Sequence, residues 1–455
     1  MRNTPSQSAA APTGQLSRDS VLELSLRLGE PEAACRRRLA AWDAYESIPM
    51  PTLRDEEWRR TDLRPLRLDE VQPLGPEYPA APALDALPDE LRGAVAAGDA
   101  RSGLFVQRGP SPVLRELDAD LARKGVLLMD LGQLAHERPD LFDRYYMSEA
   151  VKPDEKFACL HAAFTSGGLF LYVPRGVKLD LPVQALQWSD SSEHAVFPHT
   201  LIVAEPDSDV SFVEQHASAS GAATERQGFA SAVVEIIARQ GARVRYSCLQ
   251  EWGPTVWSFT ALRAMVERDA TVNTLVGGFG GRLSKTRVES ALVGPGASAK
   301  MLGILFGGDR QHFDYHTLQD HAAPNTTSDL LYKFALKDNA RSVFSGMIRA
   351  HKQAQGTDAV QTNRNLLLSD HCRADSIPNL EIEANDLRCT HAAAIAPVDE
   401  EQVFYLMSRS IPRSDAVRLI VEGFFEPLLE QIPLPGLRER VRATVERKIA
   451  SQPAT

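Results

Sequence analysis

From about residue 157 to residue 398 the chain alternates apolar and polar side chains with period two, in short runs broken by glycine, proline, asparagine and aspartate. No other feature narrows the possible folds as much. In "GARVRYSCLQ", Ala242, Val244, Tyr246 and Cys248 fall on one face, with Arg243, Arg245 and Ser247 on the other. "SDVSFVEQH", "AVVEIIARQ", "ATVNTLVGG" and "AKMLGILFGG" continue the pattern. Many short strands with evenly spaced turns mean a sandwich, a barrel or a solenoid. About 240 residues without a helix of crossover length is long for one sandwich. It suits stacked parallel coils, each turn covering the last. No exact repeat is visible, so the sandwich stays open at this point. The expected class is mainly β, with the β core at 157–398.

Helical regions flank this core. Residues 16–156 read as a mixed, mostly helical domain. Ser17 or Asp19 can cap a first helix carrying Val21, Leu22, Leu24, Leu26 and Leu28, and a second helix ends before Pro49. Trp58, inside "RDEEWRRTDLRPLRLDE", is either a buried anchor or an exposed recognition residue. "GVLLMDLGQLAHERPDLFDRYY" reads as a strand followed by a short helix. Residues 399–455 form a C-terminal helical domain. Asp399 with Gln402 can make a capping box, Ser414 can cap the next helix, and Pro427 should kink or divide it. Leu437, Val441, Val445 and Ile449 then recur every four residues. This apolar stripe, with Phe404, Phe424, Phe425, Leu428 and Leu429, exceeds what a small terminal unit needs for itself. It packs on its own neighbours or docks on a partner protein.

Composition excludes several function classes. A formal charge of −10 argues against a nucleic-acid-binding surface as the main activity. No apolar run approaches the roughly 20 residues of a membrane-spanning helix. The first fifteen residues are small and polar without a secretory apolar core, which leads us to expect a disordered tail and a cytoplasmic protein. Cys35, Cys159, Cys248, Cys372 and Cys389 are scattered and odd in number. They make neither a disulfide framework nor a Cys-x-x-Cys metal site, so no permanently bound cysteine-ligated cluster is expected.

Three clusters compete for chemistry. In "NDLRCTHAAA", Leu387, Cys389 and His391 share one strand face, their Cα atoms two apart separated by roughly 6 to 7 Å. A thiolate and an imidazole so placed can converge on iron, zinc or a small cluster, but they supply two ligands where stable sites use three or four. Two inert residues at a strand end fit the pattern as well. "GGDRQHFDYHTLQDH" places His312, Asp314 and His316 on one face, again either ligands or a polar strand surface. "VGGFGGRLSKT" and "LVGPGASAK" are glycine-rich yet lack a phosphate-binding pattern, so their glycines belong to turns. No hydrolase, kinase or glycosidase constellation is present.

The segments "GLFLYVPRGVKLDLPV" (168–183), "TSDLLYKFALKDNARSVFSGMIRAHKQAQGTDAVQTNRNLLLSD" (327–370) and "IPNLEIEANDLRCTHAAAIAPVDEEQVFYLMSRSIPRSDAVRLIVEGF" (377–424) resemble the SufB/SufD family of iron–sulfur cluster assembly scaffolds. "EEWRRTDL" (56–63) resembles the N-terminal signature of its SufD branch. Asn363 stands where the SufB branch has a cysteine, and "CTHAAA" matches the SufD pattern Cys-Ser-His-Gly-Ala-Thr, with Thr390 for Ser and Ala392 for Gly. The resemblance implies a right-handed parallel β-helix between helical regions. It also implies a SufB-like paralogue paired through the β-helix, with a homodimer possible in isolation, and a SufC-like ATPase docked on the C-terminal helices. Cys389 and His391 would then contribute to a transient cluster or iron at the shared interface of a non-enzymatic scaffold. The alternatives are a metalloenzyme built on His312 and His316, and a solenoid that only organises partners.

Overall fold

The computed structural model describes residues 15–95, 99–190, 193–219 and 226–450. Residues 1–14 of the expected disordered tail, and 451–455, lie outside them.

The N-terminal part contains α1 (Arg18–Arg27), α2 (Glu32–Ser47) and α3 (Asp89–Ala94), then β1 (Gly103–Arg108), β2 (Ser111–Leu117), α4 (Ala119–Arg123) and β3 (Leu127–Asp130). After these come α5 (Leu131–Glu137), α6 (Pro139–Tyr145) and α7 (Lys156–Phe164). Ser17 caps α1 through a capping box closed by Ser20. A single helix after β3 was the expectation. Pro139 instead starts a second one, because a proline fits a first helical turn but not a helix interior. Strand β3 is the one read in "GVLLMDLGQLAHERPDLFDRYY", whereas β1 and β2 come from a stretch in which no strand was expected.

The remaining strands are β4 (Leu169–Val173), β5 (Val183–Ser189), β6 (His199–Ala204), β7 (Asp209–Ser218), β8 (Gly228–Ala238), β9 (Arg243–Glu251), β10 (Val256–Val266) and β11 (Thr271–Gly278). They continue with β12 (Leu283–Leu292), β13 (Ser298–Gly307), β14 (His312–His321), β15 (Thr327–Leu336), β16 (Arg341–Ala350), β17 (Thr357–Leu367), β18 (Arg373–Ile382) and β19 (Leu387–Pro397). Among the described residues they make two sheets, one ordered β19-β17-β15-β13-β11-β9-β7-β5-β1-β2 and the other β18-β16-β14-β12-β10-β8-β6-β4-β3. From β4 onward odd and even strands therefore separate, and every pairing along the stack is parallel. This is a β-solenoid with two strands per coil. The sandwich is excluded.

Each coil stacks in register on the last: Leu283, His312, Arg341 and Arg373 line up across β12, β14, β16 and β18. One corner of the stack is held by residues with positive φ. Asp207, Gly241, Asp269, Gly296, Asn325 and Gly356 occupy it in consecutive coils. Carboxylate or amide alternates with glycine for a steric reason. A Cβ on Gly296 would stand 2.3 Å from Asp269 Oδ1, and the same close approach links Gly241 to Asp207 and Gly356 to Asn325. These corners are the glycine, asparagine and aspartate punctuation of the sequence.

Inside the coils, Val244, Tyr246, Val272, Met301, Leu330, Tyr332, Phe334 and Phe344 form one apolar core. At the N-terminal end Leu121 of α4, Val126 and Leu128 join this core. There β2 and β3 also pair antiparallel with the first strands and end the stack. Helices α1, α2, α5, α6 and α7 cover the outer face of the even-numbered sheet, with Trp42, Phe157, Phe164 and Phe197 at the contact. A buried polar link runs beneath them. His161 Nε2 lies 3.0 Å from His199 Nδ1, and His199 Nε2 lies 3.2 Å from Glu235. Glu235 accepts the Met147 and Val151 N–H groups at 2.8 and 3.1 Å. Burial outweighs those bonds and pushes its pKa up to about 8, and burial lowers that of His199 to about 3. The pair is thus neutral near pH 7.

The C-terminal helices are α8 (Glu400–Ser408), α9 (Arg413–Leu429) and α10 (Pro435–Ala450). Asp399 caps α8 by accepting the Glu401 and Gln402 N–H groups. Ser414 caps nothing: α9 begins at Arg413 after Pro412, which leaves Ser414 inside the first turn. The helix also runs through Pro427 rather than dividing there. Phe425, Leu428, Leu429, Leu437, Val441 and Val445 are buried against Leu275, Leu302, Ile304 and Phe306 on the outer face of the odd-numbered sheet. That corrects the expectation that these six form a docking surface, and Phe424 is partly buried with them. Their stripe satisfies an apolar sheet face of the same chain. What stays uncovered is α8, with Phe404 72% exposed and Tyr405 and Met407 beside it.

Candidate functional site

The solenoid is closed at one end and open at the other. Strands β18 and β19 terminate their sheets, so each has one edge with no strand partner among the described residues. The consequence is visible in the side chains. In β17 the interior-facing residues Ala359, Gln361, Asn363 and Asn365 are buried by the coils on either side. Their in-register neighbours on β19 are Cys389, His391, Ala393 and Ile395. These face the same way but have no coil above them. Ile395 is 45% exposed, as are Leu380 and Ile382 of β18 at 40% and 42%. An interior apolar surface is left facing solvent, with unpaired backbone groups along its rim, and such an edge calls for another strand.

Cys389 and His391 lie on that rim, two residues apart on one face as their spacing predicts. Cys389 is half-buried; burial and the nearby Asp358 carboxylate raise its pKa, so the free thiol holds its proton at neutral pH. Asp358 is itself paired with Arg388, which also lowers its pKa. His391 is exposed, and its side chain makes no hydrogen bond among the described residues. Among those residues no three His, Cys, Asp or Glu side chains come together as a metal-holding group. Cavities of about 330, 430 and 660 Å³ exist, and none of them is lined by Cys389 or His391. The pair sits on an open rim rather than in a cavity.

The competing cluster has a different character. Asp314 and His316 do share a strand face, with His316 Nε2 2.9 Å from Asp314 Oδ1, but the ammonium group of Lys285 joins both, 2.7 Å from Asp314 Oδ2 and 2.8 Å from His316 Nε2. Lys285 also donates to the Glu57 carbonyl and sits 4.7 Å from the centre of the Trp58 ring. Thr61 donates to Asp314 as well. Burial alone would raise the Asp314 pKa, but His316 and Lys285 hold it well below the usual carboxylate range. His312 joins none of these bonds, and burial lowers its pKa. A cation is already built in, and it fastens the "EEWRRTDL" segment to the solenoid. Trp58, packed on Phe157 and Phe259, is the anchor of that segment. Lys285 carried no signal in the sequence, because it stands 29 residues from Asp314. Only the stacking of coils brings them together.

Fold and site together define a class: a two-sheeted β-solenoid, closed at its first coil, that carries a thiol and an imidazole on an open last coil. Comparison with known proteins narrows it. The chain matches the family described as "SUF system FeS cluster assembly, SufBD core domain" over residues 187–424, and the SufBD protein N-terminal region over residues 114–185. It is 31% identical over 425 residues to the iron-sulfur cluster assembly protein SufD of Bacillus subtilis, covering 92% of this chain and 95% of that one. An iron-sulfur cluster assembly SufBD family protein of Staphylococcus haemolyticus is 31% identical over 427 residues, 92% and 90% of the two chains. A Staphylococcus aureus protein of the same description is 30% identical over a span of the same length. The chain belongs to the SufB/SufD family.

Proposed function

We propose that this chain is a non-catalytic scaffold subunit for iron–sulfur cluster assembly in a SUF-type complex, and that its open end is where the work is shared. The observation that carries this reading is the uncovered last coil. A SufB-like paralogue ending in a similar coil would pair edge to edge with β18 and β19, burying Leu380, Ile382 and Ile395. Backbone hydrogen bonds would supply affinity and the apolar rim the driving force. Cys389 and His391 would then face the partner across the seam. The partner supplies the ligands that two residues lack, and iron or a nascent cluster is the cargo held there. A second copy of this chain would use the same edge when the paralogue is absent. The exposed face of α8, with Phe404 at its centre, would take a SufC-like ATPase. Only Val398 and Asp399 separate β19 from α8, so movement of that partner would act directly on the seam.

The test is His391→Ala in the co-expressed complex, with iron and sulfide measured on the purified assembly. We expect both to fall while the subunits stay together. Unchanged loading, or dissociation of the paralogue, would overturn the assignment. Ile395→Lys should abolish pairing and leave the melting temperature of the isolated chain within a few degrees; retained pairing would place the interface elsewhere.

A further inference from the structure

We propose that Gln361 is a positioning residue for His391, its amide accepting the imidazole N–H and so fixing which ring nitrogen is free to meet the cargo. The proposal rests on the reading of His391 given above, and it comes from an unexplained buried amide. Gln361 is 1% exposed, points into the solenoid interior, and among the described residues has neither its Nε2 nor its Oε1 hydrogen-bonded. Buried side-chain amides rarely go unpaired, so an orphan amide marks a missing partner.

The surroundings limit who that partner is. The amide reaches across the interior to Gly346 of β16, where an added Cβ would stand 2.4 Å from Nε2 and 2.6 Å from Oε1. Glycine at that position makes the room. In register with Gln361 are Leu330 in the coil below and His391 in the coil above. In register with Gly346 are Thr317 below and Pro378 above. Leucine and proline side chains offer no hydrogen bond. The neighbouring Asn365 already donates to Asn363 and to the Ala394 carbonyl, and Gln319 to Ser328 and the Val360 carbonyl. Among the described residues Thr317 Oγ1, Gln319 Oε1 and Asn365 Oδ1 are likewise buried without a partner. The two amide oxygens only accept, so the neighbours with a hydrogen to offer Gln361 Oε1 are the Thr317 hydroxyl and the His391 imidazole, whose side chain has no partner among those residues. Adjacent strands are roughly 4.8 Å apart, so an amide in one coil reaches an imidazole in the next once the ring turns toward the interior.

The chemistry then orders itself. A neutral histidine that offers one nitrogen to a metal carries its proton on the other, and that N–H needs an acceptor. Gln361 Oε1 accepts it, and Gln361 Nε2 donates to Thr317 Oγ1. One side chain thereby settles two orphan groups and the tautomer of the ring. Lying in the coil beneath the rim, Gln361 does this without touching the cargo.

The experiment uses the full chain with ¹⁵N-labelled histidine, the His391 signals being identified by their loss in His391→Ala. The tautomer of His391 is followed in wild type, in Gln361→Met, which keeps the volume and removes both polar atoms, and in Gln361→Glu. Wild type should show one dominant tautomer, and Gln361→Met a mixture of both. Gln361→Glu should restore the single tautomer, since its carboxylate accepts the same N–H. In the assembled complex Gln361→Met should lower iron loading several-fold without loss of the paralogue. His391 signals unchanged between wild type and a folded Gln361→Met would overturn the proposal. If the tautomer shifts while His391→Ala leaves iron loading unchanged, positioning stands and the ligand role of His391 fails.

Discussion

The contrast between Phe425 and Phe404 is the sharpest test of how the C-terminal helices divide their labour. Both are aromatic residues of the same helical region, and their sequence context does not separate them. Phe425 is fully buried, its ring centre 5.1 Å from Phe424 and 6.5 Å from Phe306 on β13. A phenyl side chain buries about 150 Å² of apolar area, which at roughly 25 cal/mol/Å² is worth about 3.8 kcal/mol. Truncation to alanine also leaves a cavity, and measured Phe→Ala costs of about 3–5 kcal/mol bracket that value. Phe404 is 72% exposed, so its truncation should change stability by no more than about 0.5 kcal/mol. Urea unfolding of the isolated chain gives both quantities, and co-purification with a SufC-like ATPase reads what the Phe404 face does. Phe425→Ala should lower the unfolding free energy by about 4 kcal/mol. Phe404→Ala should leave unfolding unchanged and weaken ATPase capture. A Phe425→Ala variant within about 1 kcal/mol of wild type would refute the packing argument. A Phe404→Ala variant that destabilises the chain would refute the claim that its face is free.

Three further perturbations test the frame that presents the site. The Glu235 pKa is raised on folding from 4.5 to about 8, so stability should fall as pH rises between those values, by up to about 1.4 kcal/mol per unit. The buried His161 and His199 oppose this only below about pH 6.5, so Glu235→Gln should flatten the urea midpoint between pH 6.5 and 8; a slope equal to wild type would show that Glu235 is not the source. Gly296→Ala, at φ 74° and against Asp269, should cost about 2 kcal/mol, whereas a neutral result would mean the corner relaxes freely. Lys285→Met leaves Asp314 buried without its ammonium partner and should cost about 3 kcal/mol in thermal or urea unfolding; a gain in stability would show the network to be dispensable.

Much of this protein was legible one residue at a time. Period-two alternation assigns side chains to faces, and Val244, Tyr246 and Cys248 are indeed buried while Arg243 is exposed. Turn residues mark the corners because positive φ favours glycine, asparagine and aspartate wherever it occurs. Cys389 and His391 share a face because they are two apart on a strand. These are local consequences of backbone geometry, and a sequence carries them by itself. What it did not carry depends on which coil lies against which. The coils differ in length, so no repeat announces the register that joins Lys285 to Asp314 or sets Gln361 under His391. An apolar helical stripe is the same string of residues whether it meets its own sheet or another protein, and only the stacked odd-numbered strands decided that Phe425 and Val441 turn inward. The open last coil is tertiary in the same way: β19 has the alternation of any interior strand, and it becomes an edge because no further coil stacks on it among the described residues.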